Sequence, residues 1–116
     1  MGAGIDDFLE LVDQLPEVGR SDHGRYWQLD VGGRTLGYLW QATRTVGLRQ
    51  TLAEQLALVS ERPDVFEVQF TTAHYGWVVV HLEGVDRLEL AELVFEAWRL
   101  TAPAELVARR GDRLPS

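Results

Sequence analysis

The sequence predicts an α+β domain in which an antiparallel sheet of about five strands packs against helices, in the order helix, three strands, helix, two strands, helix. Three observations carry this reading. Several segments alternate apolar and polar residues with period 2, a Gly-Gly pair joins the two clearest of them, and helix-spaced apolar residues lie on either side. The 116 residues suit one domain, with its core at about 5–107, and a chain of this size buries roughly two thirds of its unfolded surface. A composition 46% apolar and 25% charged is that of a globular chain, and no run approaches the ~18 apolar residues of a membrane span. Absence of Cys excludes disulfides, a thiol nucleophile and thiolate metal sites.

Taken in order, Ile5, Phe8, Leu9, Val12 and Leu15 mark one face of a first helix, with Asp6 and Asp7 in its first turn and Pro16 ending it. A polar loop follows. From Arg25 to Val31, Trp27, Leu29 and Val31 alternate with Tyr26, Gln28 and Asp30, which predicts a half-buried strand. Gly32-Gly33 supplies the two positive-φ positions of a primed hairpin turn, and Arg34 to Gln41 returns as the second strand. Thr45 to Arg49 forms a short third strand, Val46 and Leu48 facing one way and Thr45 and Arg49 the other. Thr51-Leu52-Ala53-Glu54 has capping-box form and opens a helix with Leu52, Leu56 and Val59 on its apolar stripe, ending before Pro63. Phe66, Val68 and Phe70 then alternate with Glu67, Gln69 and Thr71, and Trp77 to Leu82 is apolar enough for a central strand. Asp86 starts the longest helix, whose arc comprises Leu88, Ala91, Val94, Phe95 and Trp98, and Pro103 opens a last turn or two ending at Gly111.

Charge is unevenly placed. The net is −7, which repels a polyanion at long range, but residues 20–49 carry five Arg against Asp22 and Asp30. Every basic residue is Arg, which genome base composition explains better than a need for bidentate chemistry. The opening residues have neither a basic nor an apolar leader region, so the expected location is cytoplasmic.

The residues point away from catalysis. His23, His74 and His81 have no metal-ligand spacing, and no Ser lies in a nucleophile-elbow context. His74 beside Tyr75 has the residue types of an acid/base pair, although a corner that fixes the loop accounts for them more simply. His81 is expected on the sheet's second face. Gly32-Gly33 lies between strands, so it makes a turn and not a phosphate cradle. Asp6, Asp7, Glu10, Asp13 and Glu17 form an acidic ridge with the residue types of a carboxylate metal site, and a solvated helix face explains it equally well.

Two binding surfaces follow instead. If the 25–41 hairpin projects as a wing, Arg25 and Arg34 stand near its strand ends, with Arg44 and Arg49 following, and these can meet phosphates. Pairing with surface acids is the competing explanation. If Val78, Val80 and Leu82 face the helices, Trp77, Val79 and His81 face away, joined by Tyr26 and by either Tyr38 with Trp40 or Leu39. Either that aromatic face is a binding surface, or the segment from Pro103 to Leu114 folds over it and completes the core.

From about Ile5 to Val107 the chain resembles the MmcQ/YjbR family of small bacterial proteins. The resemblance rests on Pro63, Phe66, Thr72-Ala73-His74-Tyr75, Trp77-Val78, Val85-Asp86 and Ala97-Trp98-Arg99-Leu100, with looser matches at Leu15-Pro16-Glu17, His23-Gly24 and Val31-Gly32-Gly33-Arg34. Ala73 stands where the family usually has Pro, Arg34 where it has Lys, and the stretch between Tyr75 and Trp77 is shorter. The resemblance implies a fold similar to the frataxin-like and secretion-chaperone-like folds, and a DNA-binding-like role with a double wing of hairpins. It implies no reaction and no cofactor.

The expectation is therefore a monomeric, non-enzymatic binding module without metal or cofactor. Its first role is DNA binding through Arg25, Arg34, Arg44 and Arg49. The alternative is a small aromatic ligand or a protein bound by Tyr26, Tyr38, Trp40, His74, Tyr75, Trp77 and His81.

Overall fold

The computed structural model describes residues 2–116; Met1, which opens the stretch read for a leader, lies outside the described residues. The fold is α+β, with helices α1 (Ile5–Asp13), α2 (Leu52–Glu61), α3 (Arg87–Arg99) and α4 (Ala104–Arg110). Strands β1 (Gly19–Asp22), β2 (Trp27–Val31), β3 (Arg34–Trp40), β4 (Thr45–Thr51), β5 (Phe66–Thr72) and β6 (Tyr75–His81) form one antiparallel sheet in the order β1-β2-β3-β4-β6-β5. Among the described residues no helix is long and apolar enough to cross a membrane.

The predicted order stands, with one strand added. Residues Gly19 to Asp22 belong to the stretch expected as a polar loop, yet they pair with β2 as a fully exposed edge strand. Periodicity finds a strand only when one face is buried. Gly32 and Gly33 hold φ of 60° and 76°, as the primed turn requires. A Cβ at Gly32 would lie 2.9 Å from Pro103 Cδ, so the hairpin tip is seated against the start of α4 and does not project.

Helices cover one face of the sheet. Phe8, Leu11, Val12, Leu29, Leu39, Val46, Leu48, Phe66, Val78, Val80, Leu82, Leu90, Val94 and Trp98 make a single core there. Two expected helix faces are turned from their predicted directions. Leu88 is 65% exposed, because the buried arc of α3 centres on Leu90, Val94 and Trp98 and Leu88 lies about 120° from that centre. On α2 the face toward the sheet is Gln55, Leu58 and Val59, roughly 70° from the Leu52, Leu56 and Val59 stripe, and Leu56 is left 68% exposed.

The reason for the second rotation is polar. A β-bulge between Val68 and Phe70 disturbs the β5–β6 ladder, and Gln55 Nε2 donates to the Phe70 and Trp77 carbonyls at 3.2 and 2.9 Å. Buried carbonyls need donors, and a leucine there offers none. The capping residue is as expected, with Thr51 Oγ1 accepting from the Glu54 amide at 3.1 Å.

The acidic ridge of α1 is occupied by arginines. Arg87 donates to Asp7 and Glu10, and Arg20 pairs with Asp13. Asp7 also accepts from the Gly4 amide at 2.8 Å, and that bond first, then Arg87, holds its carboxyl below the ordinary value of 3.8. A depressed carboxyl stabilises the fold above its unfolded value and loses that contribution as pH falls through the folded one. Asp7→Ala is expected to cost about 1 kcal/mol at pH 7 in a urea melt. The gap from wild type should narrow below pH 3.8; a gap constant down to pH 2 would contradict the assignment.

Candidate functional site

The face of the sheet away from the helices carries a row of aromatic rings. Tyr26 lies 5.8 Å from Tyr38 and 6.4 Å from Trp40, the last two stack at 5.8 Å, Tyr38 reaches Trp77 at 5.7 Å, and Phe70 stacks on Trp77 at 5.0 Å. Of the two open alternatives, Tyr38 and Trp40 are on this face, and Leu39 is in the core. Strands two apart are normally about 10 Å from one another, yet Tyr38 on β3 and Trp77 on β6 meet across β4. They do so over Gly47, which pairs with both Tyr38 and Val79 and puts no side chain between them.

Phe70 was expected to share a face with Phe66 and Val68. The bulge prevents this: Val68 opposes Val78 of the core, while Phe70 opposes Trp77. One extra residue in a strand reverses every side chain beyond it. Gln69, at the bulge, folds over Gly47, where a Cβ would lie 2.2 Å from its Oε1. Nothing in the sequence signals a bulge at this position, so Gln69 and Phe70 are site residues that pattern reading misses.

The C-terminal segment does not cover this face. Leu106 belongs to the core on the helical side, Arg110 donates to the Gln14 carbonyl at 3.1 Å, and Arg87 Nε donates to the Ser116 carbonyl at 3.2 Å. The rings therefore shield mainly one another, and Trp77 is only 3% exposed.

Beside the row lies Arg49, 9% exposed. Its guanidinium carbon sits 4.6 Å from the Tyr75 ring centre and 5.0 Å from that of Trp77, and Nη2 donates to the Thr35 carbonyl at 2.9 Å. Among the described residues Arg49 has no carboxylate within ion-pairing distance, and its buried Nε has no hydrogen-bond partner. Gln69 Oε1 is likewise buried and unpartnered. Burial first, and Arg34 next, push the Arg49 guanidinium below its ordinary value. At Tyr75 the Arg34 guanidinium holds the phenol below its usual range, with Arg49 adding to the effect. Burial raises Tyr38.

The four wing arginines do not converge. Arg34 and Arg49 meet at Tyr75, at the end of the sheet where β5 turns into β6. Arg44 lies at the opposite end and donates to Glu83 at 3.1 Å, and Arg25 is exposed in the β1–β2 connection at that same end. His81 is on the aromatic side and pairs with Glu67. His74 is exposed in the β5–β6 turn beside Ala73, whose φ of 44° proline cannot adopt. Tyr75 has its ring against the Arg49 guanidinium, and no hydrogen bond joins it to that histidine among the described residues.

A family model described as YjbR matches residues 13–100. Uncharacterized proteins of Mycobacterium tuberculosis and Mycobacterium bovis are each 39% identical over 56 residues, covering 46% of this chain and 41% of the relative. The chain thus spans about two fifths of the length of these curated relatives. The crystal structure of Deinococcus radiodurans protein DR2400, a DUF419 domain, superposes with a TM-score of 0.73 at 20% identity over 84% of this chain and 77% of that one, which shows the shared fold. With the model spanning the first helix's end, all six strands and α3, the chain belongs to the YjbR family.

Proposed function

We propose that this protein is a non-enzymatic binding module whose aromatic sheet face takes a small planar ligand. The observation that carries the reading is the ring row from Tyr26 through Trp40, Tyr38 and Trp77 to Phe70, left uncovered by the C-terminal segment. Large aromatic surfaces of this kind are normally buried or used. Stacking on rings is driven by apolar area and ring quadrupoles, so it tolerates salt. Two buried polar atoms without partners, on Arg49 and Gln69, favour a small ligand with polar groups over a purely apolar partner surface.

The family resemblance implies DNA instead, and a projecting 25–41 hairpin would bind it through Arg25, Arg34, Arg44 and Arg49. That reading predicts a different response: each phosphate contact contributes about −0.9 to the log–log salt slope. The division of these arginines between two ends of the sheet, the seated hairpin tip and the net charge of −7 all weigh against it. One titration decides between the two. Naphthalene- and purine-type ligands are expected to shift the intrinsic Trp emission, with weak salt dependence and a loss of at least tenfold in Trp40→Ala. Labelled duplex DNA is expected to give no anisotropy change even at low salt. Saturable, salt-sensitive DNA binding abolished by Arg34→Ala with Arg49→Ala would overturn the proposal in favour of the arginine reading.

A further inference from the structure

Resting on that reading, we infer that the end of the aromatic face formed by Arg49, Arg34 and Tyr75 is an anion subsite, and that the ligand is a planar ring carrying a carboxylate or phosphate group. A cation with nine tenths of its surface removed from water ordinarily has an anionic partner, because burying an unpaired charge is strongly unfavourable. Arg49 has none: one neutral carbonyl and two ring faces hold it, and Nε is left without an acceptor. Arg34, the second cation at Tyr75, adds like charge where an acid would be expected, and it too has no carboxylate within ion-pairing distance among the described residues.

The placement suits a ligand with two parts. Arg49 opposes Trp77 in the β4–β6 register, so a ring stacked along the row brings a substituent to the guanidinium without crossing the sheet. Arginine recognises carboxylate and phosphate oxygens by charge-assisted, often paired, hydrogen bonds. An anion there also relieves the repulsion between the two arginines.

Calorimetric titration with 1-naphthoate, 1-naphthyl phosphate and neutral 1-naphthylmethanol tests this, because the three share a ring and differ in charge. The two anions are expected to bind at least ten times more tightly than the alcohol, the ratio expected of charge-assisted hydrogen bonds. The tighter of the two identifies the group as carboxylate or phosphate. Arg49→Met, with its melting temperature confirming the fold, is expected to remove the preference, bringing the anions to the affinity of the alcohol. Equal binding of all three by the wild type would overturn the anion subsite while sparing the stacking proposal. Binding of none would overturn both. A preference that survives in Arg49→Met and in Arg34→Ala would place the anion elsewhere and also overturn the inference.

Discussion

Trp98→Ala is expected to remove about 3–5 kcal/mol of stability, a large part of what a domain this size holds. The indole is fully buried, its ring lies 6.0 Å from that of Phe95, and its Nε1 donates to the Pro16 carbonyl at 3.1 Å. It thereby ties the last turn of α3 to the turn that follows α1, which ends at Asp13, before the proline. Truncation empties a cavity the size of two rings in a core shared by α1 and α3, and leaves the Pro16 carbonyl without its donor. The melting temperature should fall by roughly 10–25 °C. Trp98→Phe fills most of the space and loses only the N–H, so it should cost roughly 1–2 kcal/mol. A denaturant melt in which the two variants lose the same amount would show that volume is not what Trp98 supplies.

Gly76→Ala is the second large effect, expected at about 2–4 kcal/mol. Gly76 pairs with Gln50 on β4 and Thr71 on β5, and its missing side chain faces α2. An added Cβ would stand 2.5 Å from Gln55 Cβ and 2.8 Å from its Cδ. The helix must then move outward, which overpacks the layer and pulls the Gln55 amide away from the Phe70 and Trp77 carbonyls. Gln55→Ala alone should cost about 1–2 kcal/mol through the stranded carbonyls. It does not rescue Gly76→Ala, because alanine keeps the Cβ that causes the nearer clash. If the double variant melts like Gln55→Ala alone, the clash is with the flexible amide and the close approach of helix to sheet is not what requires glycine.

These two positions show how unequally the sequence discloses its structure. Trp98 falls on a 3.6-residue arc, so its burial was readable, and so was the Gly32-Gly33 turn, whose positive φ values glycine takes without strain. Gln55 was not readable. A polar residue on a helix with leucines at Leu52 and Leu56 reads as solvent-facing, and only the bulged ladder beneath α2 supplies the carbonyls that draw it inward. Strand β1 escaped for the opposite reason: its residues carry no buried face at all and are held by main-chain pairing and the Arg20–Asp13 ion pair.

The candidate site divides along the same line. Alternation put Trp77 with Tyr26 and grouped Tyr38 with Trp40, but left open whether that pair or Leu39 shares their face, since period 2 is local to each strand; the structure puts Leu39 in the core. The meeting of Tyr38 and Trp77 over Gly47, the reversal that brings Phe70 beside Trp77, and the pairing of Arg34 and Arg49 at Tyr75 depend on which strands are neighbours and in what register. So does the separation of Arg25 and Arg44 from the other two arginines. By itself the sequence determined the helices, five of the six strands, the burial of Ala91, Val94, Phe95 and Trp98 on the last long helix and the glycine turn, because each is a matter of spacing along the chain. The tertiary structure decided which side chains share an environment, because strand order, a one-residue bulge and the rotation of α2 are set by long-range packing and by carbonyls that must find donors.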